Sequence, residues 1–140
     1  MNIIEINLRF GSLTVRQATI RTIEHHSGTT VRQSVERIHE IHVNSNGWSG
    51  IGYHFFIRRN GQIFRGRPIN MVGAHAGGHN GDSIGICYEG NFEVEDMTPE
   101  QIAAGQWLNR HLREIYPTII RAQVHRDVNA TACPRKKLPN

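Results

Sequence analysis

The chain has 140 residues, a formal charge of +4 and a sequence pI near 9.6, enough for one domain around one substantial core. No stretch is apolar enough to span a membrane, and two cysteines, Cys87 and Cys133, are too few for the disulfide framework of a small secreted fold. The start, Met1 to Glu5, lacks the basic opening and long apolar run of a signal peptide, so synthesis in the cytoplasm is expected.

Residues 1–17 carry no strong periodicity and predict an irregular arm with a short strand. Ala18 to His26 is rich in Ile and Thr and predicts a strand. Ser27 to Thr30 breaks it. A helix should follow, with Val31, Val35, Ile38 and His42 on one face and Thr29 or Thr30 as its N-cap. Asn44 to Gly50 is a loop carrying Trp48. Tyr53–Arg58 and Gln62–Arg65 predict a hairpin, joined at Asn60-Gly61 by a two-residue turn whose residues both tolerate positive φ.

Gly66 to Asp82 is a long glycine-rich loop holding His75, His79 and Asn80, and loops of that length in compact domains tend to carry function. Ser83 to Glu89 predicts a buried strand, and Phe92 to Asp96 a surface connection. Thr98, Pro99 and Gln101 form a capping box that opens a helix, with Ala104, Leu108, Leu112 and Ile115 facing inward and Pro117 ending it. Ile119 to Val124 is a last strand running into His125. The order predicts one α/β domain over residues 1–140, a central mixed β-sheet flanked by helices.

The stretch with the most chemistry follows that last strand. His125 and Cys133 are separated by seven residues, a spacing at which a folded loop can present an imidazole and a thiol to one ion. Zinc takes both donors, and a catalytic zinc site needs three protein ligands. Of the nine histidines, the eight besides His125 compete for the third place. His39, His42 and His111 fall in predicted helices and His54 in a strand, where packing or surface roles are usual. His75 and His79 could line a cleft. His25 and His26 end a strand just before a small-residue turn, where open α/β sheets place their sites. Side-chain alternation puts one of that pair on each face, and spacing alone does not choose between them.

Other residues read two ways. Tyr53 is by itself a strand aromatic, and Thr131 a turn residue. Asp127 could orient a ligand imidazole or be a surface charge. The positive charge suits an anionic partner. The only basic run is Arg135-Lys136-Lys137, without the stripe of cations and stacking aromatics that nucleic-acid binding needs, so no nucleic-acid partner is expected.

Four stretches in order carry a resemblance: Ile23 to Thr29, Trp48 to Phe55, Val72 to Asn80 continuing through Ser83 to Ile86, and His125 to Val128 continuing through Thr131 to Pro134. Across about residues 20–134 the chain resembles the type 2 class of zinc-dependent N-acetylmuramoyl-L-alanine amidases, which includes phage amidase lysozymes and peptidoglycan recognition proteins. The resemblance implies a central mixed sheet with zinc in a surface groove. It implies His25, His125 and Cys133 as zinc ligands, Tyr53 as the catalytic tyrosine, and Thr131 as an assisting hydroxyl. His75, His79 and Asn80 would line the substrate groove.

The implied partner is bacterial peptidoglycan, with no membrane insertion and a monomeric chain. Release to the wall would depend on a holin. The family often has Gly where Arg135 stands, and relatives usually continue beyond the position of Asn140. The chain would then be either a minimal enzyme or the excised N-terminal catalytic domain of a longer endolysin. Some relatives recognise peptidoglycan without cutting it, and these typically lack the cysteine. A non-catalytic recognition module is therefore the alternative.

Overall fold

A computed structural model describes residues 1–133; Pro134 and the basic run Arg135-Lys136-Lys137 lie outside the described residues. Six strands form one sheet: β1 (Ile3–Ile4), β2 (Arg21–His26), β3 (Phe55–Ile57), β4 (Ile63–Arg65), β5 (Ser83–Tyr88) and β6 (Arg121–Val124). Two helices, α1 (Val35–Asn44) and α2 (Pro99–Ile115), complete the described fold. The spatial order is β1-β4-β3-β5-β2-β6, and every neighbouring pair is parallel except β3 with β4. The expected mixed sheet with flanking helices is present.

Every residue of β2 and of β5 is buried, because both faces of the sheet are covered. One core joins Phe55, Ile57, Ile84, Ile86 and Tyr88 to Ala104, Leu108 and Leu112 of α2. The other joins Phe56 and Cys87 to Val35 and Ile38 of α1, with Ile51. Glu24 faces the α2 side, where Asn109 donates to its Oε1 at 3.4 Å. Burial pushes its carboxyl up to about 8 against hydrogen bonds from Tyr88 and Asn109, so it packs as a neutral acid near pH 7. His25, one residue on, therefore faces the α1 side.

Several local expectations are corrected. Helix α1 starts at Val35, with Ser34 as N-cap accepting from the Arg37 N–H. Thr29 Oγ1 instead accepts from the Val31 N–H, and Glu89 accepts from the Gln33 N–H. Those two bonds hold 29–33 in an irregular, bent segment and leave Val31 exposed. The hairpin turn is longer than two residues. Asn60 keeps negative φ and only Gly61 is positive, at 85°. Gly61 N–H donates to Arg58 O and Arg58 N–H to Gln62 O, the pattern of a three-residue loop.

Phe92 is fully buried in the α2 core rather than part of a surface connection. The capping box of α2 forms at Thr98 and Gln101 as expected. Ile115 is exposed because Tyr116, four residues after Leu112, takes the inward place.

Candidate metal centre

The centre lies at the C-terminal ends of β2 and β6, on the α1 side of the sheet. These strands are parallel neighbours, with Glu24 opposite Val124. The residues that follow, His25 and His125, therefore come out side by side, with ring centroids 4.5 Å apart. After His125 the chain makes a 3-10 turn, His125–Asp127, held by Asp127 Oδ2 accepting from the Val124 N–H at 3.0 Å. Asp127 thus caps the turn and does not bond either imidazole in the hydrogen bonds observed. The chain then returns Cys133 to the end of β2, where Sγ accepts from the His26 N–H at 3.4 Å and lies 3.9 Å from His25 Nδ1. One donor atom from each of His25, His125 and Cys133 lies within 4.8 Å of the others.

The electrostatics suit a cation. Burial, then the neighbouring His125 and His26, push His25 well below its usual range, and burial also lowers His125. Both imidazoles are therefore neutral and keep a lone pair at neutral pH. Burial pushes the Cys133 thiol up to about 11, so a thiolate there requires a compensating positive charge. His125 Nε2 lies 3.1 Å from Asn129 Oδ1, while the buried His125 Nδ1 has no hydrogen-bond partner. A buried nitrogen without a partner is costly unless something else fills its lone pair. Two neutral imidazoles, one of them with an orphaned nitrogen, and a thiol are a donor set that fits zinc.

His26 points to the other face, its Nδ1 accepting from the Phe92 N–H at 3.1 Å. That separates the pair that spacing could not. Tyr53 sits just before β3 and packs its ring 5.1 Å from that of His25. Burial, then the nearby Cys87 and Cys133 thiols, push its phenol well above its usual range, so it stays protonated.

A groove of about 390 Å³ opens beside the centre, lined by Trp48, His75, Asn80, His125, Asn129 and Thr131 among others. Thr131 is exposed there, its Oγ1 accepting from the Cys133 N–H at 3.2 Å. Asn80 Oδ1 accepts from the N–H groups of His75 and Ala76, both at 2.9 Å, and so holds the loop together. His79 stands apart from the groove-lining residues; its Nδ1 accepts from Arg21, which pairs with Asp82. His75 is buried, and its Nδ1 lies 2.9 Å from His25 Nε2. Asn129 was not singled out by sequence reasoning. The available signal was its place four residues after His125, one turn away.

Comparison with known proteins gives a consistent picture. Residues 16–136 match the family described as N-acetylmuramoyl-L-alanine amidase. The chain is 35% identical over 128 residues to an endolysin of Enterobacteria phage K11, covering 86% of this chain and 83% of that protein. It is 34% identical over 114 residues to peptidoglycan-recognition protein SC2 of Drosophila melanogaster, covering 76% of this chain and 59% of that protein. Among solved structures, N-acetylmuramoyl-L-alanine amidase LysC from Clostridium intestinale URNW superposes with a TM-score of 0.93 at 40% identity, covering 99% of this chain and 92% of that one.

Proposed function

The chain belongs to the N-acetylmuramoyl-L-alanine amidase family, and we propose that residues 1–140 form one zinc-dependent catalytic domain that cuts bacterial peptidoglycan. The bond is the amide between the lactyl group of N-acetylmuramic acid and the L-alanine of the stem peptide. The role is that of a phage or prophage endolysin, reaching the wall after release from the cytoplasm. The observation that carries the reading is the convergence of His25, His125 and Cys133 on one point, with the buried His125 Nδ1 facing no partner.

His25, His125 and Cys133 would hold the metal. A bound zinc supplies Lewis acidity and an acidified water near neutral pH. The residues around it divide the remaining work. The groove beside His125 receives the glycan and stem peptide. Tyr53, a phenol kept neutral by burial, has an O–H to give to the oxyanion that develops on the carbonyl. Thr131 has its oxygen engaged by the Cys133 N–H, so its own hydrogen is available to the groove. Hydrolysis adds water across the amide, leaving a lactyl carboxylate and a free L-alanine amine.

The test is digestion of purified peptidoglycan with and without a zinc chelator, products identified by mass. Stem peptides beginning at L-alanine, lost with chelator and restored by zinc, are expected. The likeness to a fly recognition protein favours a second reading, binding without cleavage. Intact wall in the presence of zinc and measurable wall binding would establish that reading instead.

A further inference from the structure

The loop from Gly66 to Asp82, just before β5, supplies none of the three convergent donors. Yet hydrogen bonds from both imidazoles lead into it. Ser83 Oγ lies 2.7 Å from the His79 carbonyl, which can only accept, so the single hydroxyl hydrogen points there. Ser83 Oγ must then accept from His75 Nε2, 3.3 Å away. With its proton on Nε2, His75 presents a bare Nδ1 to His25 Nε2 at 2.9 Å, so His25 donates from Nε2 and keeps its lone pair on Nδ1. That is the nitrogen facing Cys133 Sγ.

The second path is built alike. Asn129 Nδ2 donates to the Gly77 carbonyl at 3.2 Å, which fixes the amide orientation and turns Oδ1 to His125 Nε2. His125 donates there and keeps its lone pair on Nδ1, the orphaned nitrogen. The reverse tautomer of His75 would set two lone pairs against each other at Ser83 and move the His25 proton onto the nitrogen facing the thiol. The rings have little room to evade this. A Cβ on Gly85 would lie within 2.8 Å of His75 ring atoms, and one on Gly73 within 2.9 Å of both His75 and His54.

We propose that the 66–82 loop is a tautomer template: through His75 with Ser83, and through Asn129, its carbonyls at His79 and Gly77 hold both ligand imidazoles with Nδ1 bare. His75, Ser83 and Asn129 are positioning residues. The proposal rests on the metal-site reading above and adds the device that prepares it before any ion binds.

The experiment has two arms that fail separately. In the first, long-range nitrogen–proton NMR of the metal-free wild-type chain reads the tautomer of each histidine. Nε2-protonated His25, His75 and His125 are expected; an Nδ1 proton on His25 or His125 overturns the template whatever the metal affinity. In the second, cobalt(II) binding is followed by its visible absorption. Ser83→Ala and Asn129→Ala are expected to weaken binding by about tenfold to a hundredfold, as lost ligand-orienting bonds do.

His75→Asn, whose Oδ1 can replace the accepting Nδ1, and Asn129→Asp, which keeps an acceptor for His125, are expected to stay within a few-fold of wild type. Equal binding by all four variants overturns the template. Absence of cobalt binding by wild type, with the expected tautomers in the first arm, removes the metal reading and leaves the template standing.

Discussion

His25 and His125 meet as neighbours, ring centroids 4.5 Å apart, only because β2 and β6 run parallel in a register that pairs Glu24 with Val124. Residues a hundred positions apart in the chain are thus placed by the backbone hydrogen bonds that join the buried strand β2 to the edge strand β6. Only Cys133 arrives from a loop, held by the His26 backbone N–H and carbonyl at its sulfur and by Thr131 Oγ1 at its own N–H. Two donors are built into the scaffold and the third closes on them.

That division predicts the effect of Cys133→Ala. The scaffold should fold, since Cys133 is outside both cores. Zinc retained after dialysis should fall from about one per chain to a trace, because two imidazoles leave the ion's shell incomplete. Added zinc at about a thousandfold above the dissociation constant should raise wild-type stability by about 4 kcal/mol. The variant should gain little. Melting with and without zinc, and metal analysis after dialysis, check this; undiminished zinc retention would remove Cys133 from the ligand set.

Tyr53→Phe separates chemistry from binding. The ring contact with His25 survives and only the hydroxyl is lost. Zinc content should be unchanged and the change in stability about 1 kcal/mol or less. Turnover of peptidoglycan should drop by about a hundredfold to a thousandfold, the usual loss for a missing oxyanion donor. A variant with wild-type turnover would return Tyr53 to the role of a packing aromatic.

Much of this arrangement was legible in the sequence. β2, β3 and β5 announce themselves as β-branched and aromatic runs, and Thr98-Pro99-Glu100-Gln101 marks the start of α2 because its capping box is local chemistry. The start of α1 was not legible, since Thr29 and Thr30 look like caps and only tertiary contact with Glu89 shows that 29–33 is held otherwise. Spacing pointed to His125 and Cys133 but could not choose between His25 and His26. With both faces of the sheet covered, alternation gives two buried imidazoles, and it is Phe92 that claims His26. The part played by Ser83 depends on loop closure and has no signature in composition or period, and that of Asn129 has only its spacing of four from His125.

Acid should unfold the metal-free chain earlier than its carboxylates alone would require. Burial holds His54 at about 3, against its bond to the Met71 carbonyl; burial, then Arg67 and His39, hold His42 at about 4. Unfolded, both titrate near 6.5. Between 6.5 and these lower values the unfolded chain binds more protons than the folded one. Stability is therefore full above pH 6.5 and declines as pH falls towards 4 and then 3. The loss by pH 4 should be about 3 kcal/mol from the fully buried His54, at about 1.4 kcal/mol per pK unit, with a smaller share from the part-exposed His42, whose shift solvent screens. Urea midpoints with chelator at pH 7.5, 6, 5 and 4 check this. A flat profile down to pH 5 would mean that these rings are protonated in the folded chain.

Two glycines that look alike in sequence should behave in opposite ways. A Cβ on Gly52 would run into the Ala74 carbonyl, 2.7 Å from its carbon, with backbone on both sides of the clash. Gly52 N–H also donates to His42 Nδ1, and Gly52 O accepts from the Ala74 N–H, so the strand entry cannot simply move aside. Gly52→Ala should cost about 2 kcal/mol or more. Because Ala74 precedes His75, it should also weaken metal binding. Gly77 has nothing within 4 Å of its added Cβ and no positive φ. Gly77→Ala should be neutral or stabilising by about 0.5 kcal/mol, through the lower entropy of the unfolded chain, with metal affinity retained because the Gly77 carbonyl still accepts from Asn129. Equal urea midpoints for the two variants would show that the Gly52–Ala74 approach relaxes freely and that the loop is not held by it.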